Sequence, residues 1–149
     1  MAVVDGKIYV IGGYDEEPEY DEGLDSVEVY DPQADSWQQV ASMPGVRYSH
    51  AATSMGGKIY VTGGYENGAY TSTLILFDPL ANTWTELAGM GSARVDHACA
   101  GIGGKLHVFG GYGADGHMAS VEAYDPISNT WAQVSDLTSA RDDLVAVAL

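Results

Sequence analysis

The chain has 149 residues, 46% of them hydrophobic, and a formal net charge of −15 at pH 7. So strong a negative charge disfavours nucleic acid and anionic membranes as partners. No apolar run approaches the roughly 20 residues of a membrane span, and the first residues lack the pattern of a signal peptide. Cys99 is the single cysteine, so no disulfide can form within the chain, and the sequence is compatible with a reducing, cytoplasmic location.

The predicted elements recur three times along the chain in the same order. A glycine pair ends one strand, an aromatic-Asp-Pro triplet ends the next, a tryptophan lies in a third, and an arginine follows in a loop. The members are Gly12-Gly13, Gly63-Gly64 and Gly110-Gly111; Tyr30-Asp31-Pro32, Phe77-Asp78-Pro79 and Tyr124-Asp125-Pro126; Trp37, Trp84 and Trp131; and Arg47, Arg94 and Arg141. The last three series step by 47 residues, which is typical of repeat units that stack and share a core.

The sequence of each unit predicts four short strands separated by turns. Runs of β-branched and aromatic residues lie between clusters of Gly, Pro and Asn, and no stretch has a sustained helical period. The predicted strands are 50–55, 58–62, 73–77 and 83–87 in the second unit, and 7–11, 27–30 and 37–40 in the first. The Asp before each proline is expected to cap the following turn, and the three tryptophans are expected to be at least partly buried between units. The sequence therefore predicts an all-β protein.

The glycine pairs, the aromatic-Asp-Pro triplets and the tryptophans together resemble the kelch repeat, and the resemblance covers essentially the whole chain. It implies a β-propeller in which each unit forms one blade of four antiparallel strands, from A next to the central channel to D at the outside. The implied blades span about 1–43, 44–90 and 91–137, and residues 138–149 would supply an additional strand A.

All six basic residues occupy two repeat positions. Lys7, Lys58 and Lys105 follow the A–B turn, and the three arginines lie in the D–A loop, so a blade meander places them on opposite faces. A recurring arginine is most simply explained by hydrogen bonding between blades, because architecture repeats more often than ligand contacts do. Ligand recognition is the alternative, since the resemblance implies binding through the D–A and B–C loops.

The residues predicted to line that loop face are Tyr48, Ser49, His50, Tyr65, Tyr70, Arg94, Asp96, His97, Tyr112, His117, Arg141, Asp142 and Asp143. Aromatic and hydrogen-bonding groups around a concavity suit a neutral or basic peptide, or a sugar. Ser49, Asp96 and Asp143 follow the arginines by two residues, so the face offers no basic pocket for acidic peptides. The face is therefore expected to be concave and acidic.

Seven acidic residues lie in the enlarged B–C loop of the first unit: Asp15, Glu16, Glu17, Glu19, Asp21, Glu22 and Asp25. Three interpretations are open. Charge runs in loops are usually solvated; this one could also dock a basic partner. A calcium site is the third, although the ordered spacing of an EF-hand is absent.

Two classes of function follow. The first is a non-catalytic module that binds a protein or peptide and needs no cofactor or metal. The alternative is a sugar-binding or sugar-isomerising propeller, for which His97 beside Asp96 is the adjacent acid–base candidate. Copper oxidases of this fold need a cysteine next to a tyrosine, whereas Cys99 lies between two alanines and is expected to be a small buried side chain. No pair of histidines has metal-ligand spacing.

Three blades are fewer than the roughly four to eight that close a propeller. The first residues are repeat-equivalent to the last, so the chain is expected to be a piece of a larger propeller or an engineered half. Two copies are expected to form a homodimer with six blades. Residues 144–149 would then pair as the innermost strand of the partner's first blade, held by Leu144, Val145, Val147 and Leu149.

Overall fold

The computed structural model describes residues 1–15 and 23–147, and these ranges contain strands and turns but no helix. The first blade contains β1 (Ala2–Val4), β2 (Lys7–Tyr14), β3 (Gly23–Asp31) and β4 (Ser36–Val40). The second contains β5 (Ala51–Met55), β6 (Lys58–Thr62), β9 (Leu74–Asp78) and β10 (Thr83–Leu87). The third contains β11 (Ala98–Ile102), β12 (Lys105–Phe109), β15 (Val121–Asp125) and β16 (Thr130–Gln133). Each blade is a four-stranded antiparallel sheet with its strands in chain order, as the all-β kelch-type prediction requires.

Two further hairpins lie in the B–C loops of the second and third blades. They are β7 (Tyr65–Glu66) with β8 (Ala69–Tyr70), and β13 (Tyr112–Gly113) with β14 (Gly116–His117). In the first blade the corresponding chain instead prolongs β2 and β3, with a bulge between Ile11 and Gly13. Strand β5 begins one residue later than predicted, and Ser49 shortly before it has a φ of 53°, which a strand does not accommodate.

The aromatic-Asp-Pro triplets close the C–D turns as expected. Asp78 Oδ1 accepts hydrogen bonds from the backbone N–H groups of Leu80 and Ala81, at 3.0 and 3.2 Å. Its second carboxylate oxygen binds Lys58 Nζ at 2.7 Å. The pairs Lys7–Asp31 and Lys105–Asp125 repeat this contact at 2.9 and 3.0 Å. The lysines therefore lie on the face of the A–B and C–D turns, opposite the face of the B–C and D–A loops.

The hydrophobic core lies between blades. One cluster joins the first two blades and includes Tyr9, Ile11, Val29, Ile59, Val61 and Phe77. A second joins the last two blades and includes Tyr60, Leu74, Cys99, Leu106, Val108 and Tyr124. Since each blade has apolar side chains on both faces, every blade needs a neighbour on each side to cover them.

The burial of each tryptophan depends on whether the preceding blade packs against it. Trp84 Nε1 donates a hydrogen bond to the carbonyl of Ala41 in the preceding blade at 2.9 Å, and Trp131 Nε1 donates to Ala88 at 2.6 Å. Both side chains are half-buried, as predicted. For Trp37 the prediction of burial is wrong in the single chain, since it is 53% exposed. Within the described residues, Trp37 packs on Tyr30 of its own blade and has no contact with another blade.

Residues 144–147 do not form a strand in the single chain. Leu144 and Ala146 are half-buried, whereas Val145 and Val147 are 96% and 80% exposed. The innermost position of the first blade is occupied by Ala2–Val4, which pairs with β2. The predicted pairing of residues 144–149 with a partner would have to displace that strand, and Leu149 lies outside the described residues.

Candidate functional site

The D–A loop arginines join neighbouring blades. Arg47 is 2% exposed, and its Nη1 donates to the carbonyl of Gly63 at 2.7 Å while Nη2 pairs with Glu66 at 2.9 Å. Arg94 is fully buried and makes the equivalent bond to Gly110 at 2.8 Å. Burial lowers the pKa of both guanidinium groups, and the acidic partners oppose that shift. The structural interpretation of these two arginines is confirmed, and Arg94 is removed from the exposed loop face.

Arg141 has a different environment, because the described residues place no neighbouring blade against the outer face of the third blade. Its side chain is exposed and bonds to Ser139, with Nη2 at 2.6 Å from the hydroxyl oxygen. Of the three repeated arginines, it is the one that the described chain leaves at an open edge.

Ser49, Asp96 and Asp143 also have an architectural role. Their φ angles are 53°, 51° and 50°, in the left-handed region that Asp tolerates better than most residues. The N–H of Asp96 donates to the carbonyl of Ser49 at 3.0 Å, and the N–H of Asp143 donates to Asp96 at 2.8 Å. These bonds connect successive D–A loops, so the backbone position explains why the three residues are repeat-equivalent.

The repeated histidines point between blades. His97 is 5% exposed, and its Nε2 lies 2.8 Å from Thr62 Oγ1 in the preceding blade. Burial lowers the pKa of His97 to about 3 and that of His50 to about 4, so both rings are neutral at pH 7. His97 is therefore removed from the predicted ligand face. It also does not form an exposed acid–base pair with Asp96.

Cys99 is the small buried side chain that the sequence predicts. It is part of the second core cluster, and burial raises the pKa of its thiol to about 12. A thiol with so high a pKa is protonated and unreactive at neutral pH. Within the described ranges, no group of three or more His, Cys, Asp or Glu side chains is arranged to hold a metal ion.

The loop face has a continuous row of exposed and half-buried rings, here called the aromatic track: Tyr14, Tyr48, Tyr65, Tyr70, Tyr112 and His117. Ring centroids of successive members are 5.2, 5.1, 5.8, 6.3 and 5.2 Å apart. These distances lie within the range of favourable aromatic contacts. The track crosses all three blades and brings together five of the residues predicted from sequence.

Local backbone geometry holds the track in place. In the hairpin β7–β8, Asn67 and Gly68 have φ angles of 51° and 82°, as a tight type I′ turn requires. This turn sets Tyr65 opposite Tyr70. Tyr48 then bridges to Tyr65 across the blade joint. The Asn67-Gly68 pair is the sequence signal for this hairpin, although the predicted strands 58–62 and 73–77 leave the segment between them as a loop.

A cleft of about 490 Å³ opens beside the track between the hairpins of the second and third blades. Tyr70 and His117 line it together with Ala93, Asp115 and Met118, three residues that sequence reasoning missed. His117 Nδ1 lies 3.1 Å from Asp142 Oδ1 at the same edge. Aromatic, apolar and carboxylate groups thus converge at one concave site, a mixture typical of small binding pockets.

The remaining predicted groups lie at or outside the edge of this site. Asp142 is half-buried and Asp143 is exposed. The enlarged acidic loop cannot be placed with them, because residues 16–22 lie outside the described ranges. Within those ranges, no helix has the length and apolar composition needed to cross a bilayer.

The family profile of the KLHDC2/KLHL20/DRC7 Kelch-repeats domain matches residues 1–141. The chain belongs to the kelch-repeat family. Human Kelch-like protein 33 is 36% identical over 76 residues, which are 50% of this chain and 14% of that protein. Human Kelch-like protein 23 is 42% identical over 62 residues, or 42% of this chain and 11% of that protein. An F-box/kelch-repeat protein of Arabidopsis thaliana is 39% identical over 66 residues, or 44% and 17%.

The solved structure of YjhT resembles this kelch-repeat chain with a TM-score of 0.81 and 20% sequence identity. The match covers 94% of this chain and 52% of YjhT. At this identity the likeness shows the fold alone. This kelch chain thus spans about half of the solved structure and a smaller share of the curated relatives.

Proposed function

We propose that this kelch-repeat chain is a non-catalytic module that binds a protein or peptide on its loop face. The aromatic track carries the proposal, because it is a preformed row of exposed and half-buried rings beside a concave cleft. Tyrosines provide a large contact area at a small cost in conformational entropy, and they are enriched where proteins bind one another. Cys99 and His97 are the two side chains on which an enzymatic function would first depend, and both are buried.

The ligand we propose is an extended peptide with neutral or basic side chains. Exposed acidic groups on the loop face include Asp115, which lines the cleft, and Asp143, and Asp142 lies beside His117 at the edge of the cleft. The chain as a whole is strongly negative. A lysine or arginine of the ligand could pack over a tyrosine ring while pairing with one of these carboxylates. Charge attraction of this kind weakens as salt is added, so affinity should fall with ionic strength.

A peptide-library selection against the chain tests this function. Tyr70→Ala removes a ring that lies both in the track and in the cleft, and it should weaken the selected peptides about 10-fold or more. Leu80→Ala is the matched control, because Leu80 is 95% exposed and lies in a C–D turn on the opposite face. Preferential selection of acidic peptides, or equal binding by Tyr70→Ala, would reject the proposal. Binding on a glycan array with no peptide binding would favour the sugar alternative.

We also propose that two copies complete one six-bladed ring. The repeat-equivalent positions of strand B support this. Ile59, Val61, Leu106 and Val108 are fully buried, whereas Ile8 and Val10 are only partly buried on the open face of the first blade. At the other end, His107 and Phe109 are half-buried although the equivalent Tyr9 and Ile11 are buried. A two-fold axis would cover both open faces at once.

The proposed ring predicts a dimer in light scattering, with twice the 15.7 kDa mass of one chain. In the proposed ring, residues 144–149 displace Ala2–Val4 from the innermost position of the partner's first blade. Deleting them should therefore give monomers or aggregates through the unpaired edge. The deletion leaves the aromatic track intact, so peptide binding and assembly are tested separately. A stable, well-folded monomer of the full chain at micromolar concentration would refute the ring.

A further inference from the structure

The joint between the second and third blades contains a buried ion pair. Arg94 Nη2 lies 2.6 Å from Glu122 Oε1, and both side chains are nearly inaccessible to solvent. The other carboxylate oxygen of Glu122 accepts a hydrogen bond from the N–H of Gly91 at 2.7 Å. Since both oxygens of Glu122 have donors, its burial beside the arginine is well compensated. We call this Arg94–Glu122 contact the clasp.

The position of Glu122 in its sheet recurs in the first blade. Glu122 lies opposite Val108 on one side and Gln133 on the other. Glu28 lies opposite Val10 and Gln39 in the same way. Antiparallel strands with the same register present equivalent side chains to the same face. Glu28 therefore projects from the open face of the first blade as Glu122 projects into the joint.

The two halves of a second clasp are thus present at the two ends of the chain. Arg141 is the repeat equivalent of Arg94 and lies at the open edge of the third blade, bonded to Ser139. Glu28 is exposed, and no ion pair to it occurs among residues 1–15 and 23–147. The middle blade has Ile75 at this position, and there Arg47 pairs with Glu66 instead. An end-to-end seam would therefore reproduce the clasp of the second joint.

We propose that Arg141 of one protomer pairs with Glu28 of a second copy, and that this contact occurs at both seams of a closed ring. The inference rests on the self-assembly proposed above and names the pair that sets its register. In a two-fold ring each protomer supplies one arginine to one seam and one glutamate to the other. Desolvated charge pairs of this kind select the correct partner more than they add affinity.

The outer edge of the two open faces is complementary in the same register. Trp84 and Trp131 each donate to the carbonyl 43 residues earlier, in the preceding blade. By the repeat, Trp37 would donate to the carbonyl of Ser135 in the second copy. Asp35 would accept from the N–H of the same residue, as Asn82 and Asn129 accept from Ala41 and Ala88. The seam thus has two sets of complementary groups: the pair Arg141–Glu28, and the contacts of Trp37 and Asp35 with Ser135 at the outer edge.

Charge reversal tests the clasp. Arg141→Glu should place two acids in each seam and Glu28→Arg two arginines, so each variant should raise the dimer dissociation constant about 100-fold or more. A mixture of the two variants should recover heterodimers, because each seam of a mixed ring then contains one acid and one arginine. Sedimentation velocity with one variant carrying a mass tag measures both effects. Lys58→Glu, in the middle blade, makes the same change in net charge as Arg141→Glu away from both seams and should leave the dimer intact.

Both substituted side chains are exposed in the single chain, so circular dichroism should show native folding for each variant. If one variant fails to fold, Glu28→Gln and Arg141→Gln replace it and should weaken the dimer about 10-fold each. A wild-type dimer that tolerates every one of these changes would overturn the clasp and leave the ring standing. A wild-type chain that stays monomeric would overturn the ring and the clasp together. Weakened variants that do not recover on mixing would also refute the pairing.

Discussion

Replacing Trp84 measures how much one joint between blades contributes to the free energy of unfolding. The indole N–H reaches the carbonyl of Ala41 in the preceding blade at 2.9 Å. The ring centroid lies 4.9 Å from that of Phe77 within its own blade, and the side chain packs against the first core cluster. Trp84→Ala removes all three contacts, whereas Trp84→Phe removes the hydrogen bond and keeps an aromatic ring.

The magnitudes follow from these contacts. The lost hydrogen bond costs about 1 kcal/mol. Loss of a half-buried aromatic surface adds about 2 kcal/mol, less than for a fully buried tryptophan. We therefore expect Trp84→Ala to lower the free energy of unfolding by about 3 kcal/mol and Trp84→Phe by about 1 to 1.5 kcal/mol. A loss of the larger size is a substantial part of the total stability of a small domain.

Urea unfolding followed by circular dichroism, extrapolated linearly to water, provides the measurement. Trp37→Ala is the matched control when the chain is dilute enough to be monomeric, because Trp37 packs on Tyr30 in its own blade but has no preceding blade. It should cost about 1 kcal/mol. If Trp84→Ala costs no more than this control, the tryptophan does not stabilise the joint and the reasoning is refuted.

Two further predictions concern stability. Because burial holds the pKa of His50 at about 4 and that of His97 at about 3, the unfolded chain binds more protons than the folded chain below pH 6.5. Stability should therefore fall by about 2 kcal/mol per histidine between pH 7 and pH 5, and His50→Gln with His97→Gln should flatten the profile. A flat wild-type profile would contradict this. Gly63→Ala should cost at least about 3 kcal/mol, because its φ is +55° and a Cβ would lie 2.5 Å from the carbonyl oxygen of Arg94. Gly57→Ala, with a φ of +75° and open space, should cost about 1 kcal/mol; equal losses in urea unfolding would reject the close approach.

Much of the fold could be predicted because the repeated residues have local roles. Asp78 caps its own C–D turn, and the triplet around it therefore marks a strand end wherever it recurs. Trp84 follows that turn at a fixed spacing and therefore marks the position of the fourth strand. A glycine such as Gly63 marks the point where the next D–A loop touches the sheet. Signals of this kind depend on neighbours in sequence, so they can be recognised in the sequence alone.

The candidate site was less predictable because it depends on orientation and on neighbours. His97 follows Asp96, whose left-handed backbone turns the chain into strand β11 and directs the imidazole at Thr62. Sequence places such a residue in the loop region but does not show that its ring is buried. For Trp37 the sequence predicts burial, because its repeat equivalents Trp84 and Trp131 are half-buried, but Trp37 itself is exposed. The exposure of Trp37 depends on whether a neighbouring blade packs against it, and the residues close to it in sequence do not show this.

Differences between units indicate which residues would select the ligand proposed above. Tyr65 and Tyr112 are repeat-equivalent, and their place next to the glycine pairs serves the architecture of every blade. Tyr70 and His117 differ in identity, although each closes the hairpin of its blade opposite one of those tyrosines. Together they line the cleft, so its chemistry depends in part on positions that differ between the two blades. In a two-fold ring the cleft would occur twice on one face, and a ligand with two recognition segments would gain from the high effective concentration of the second site.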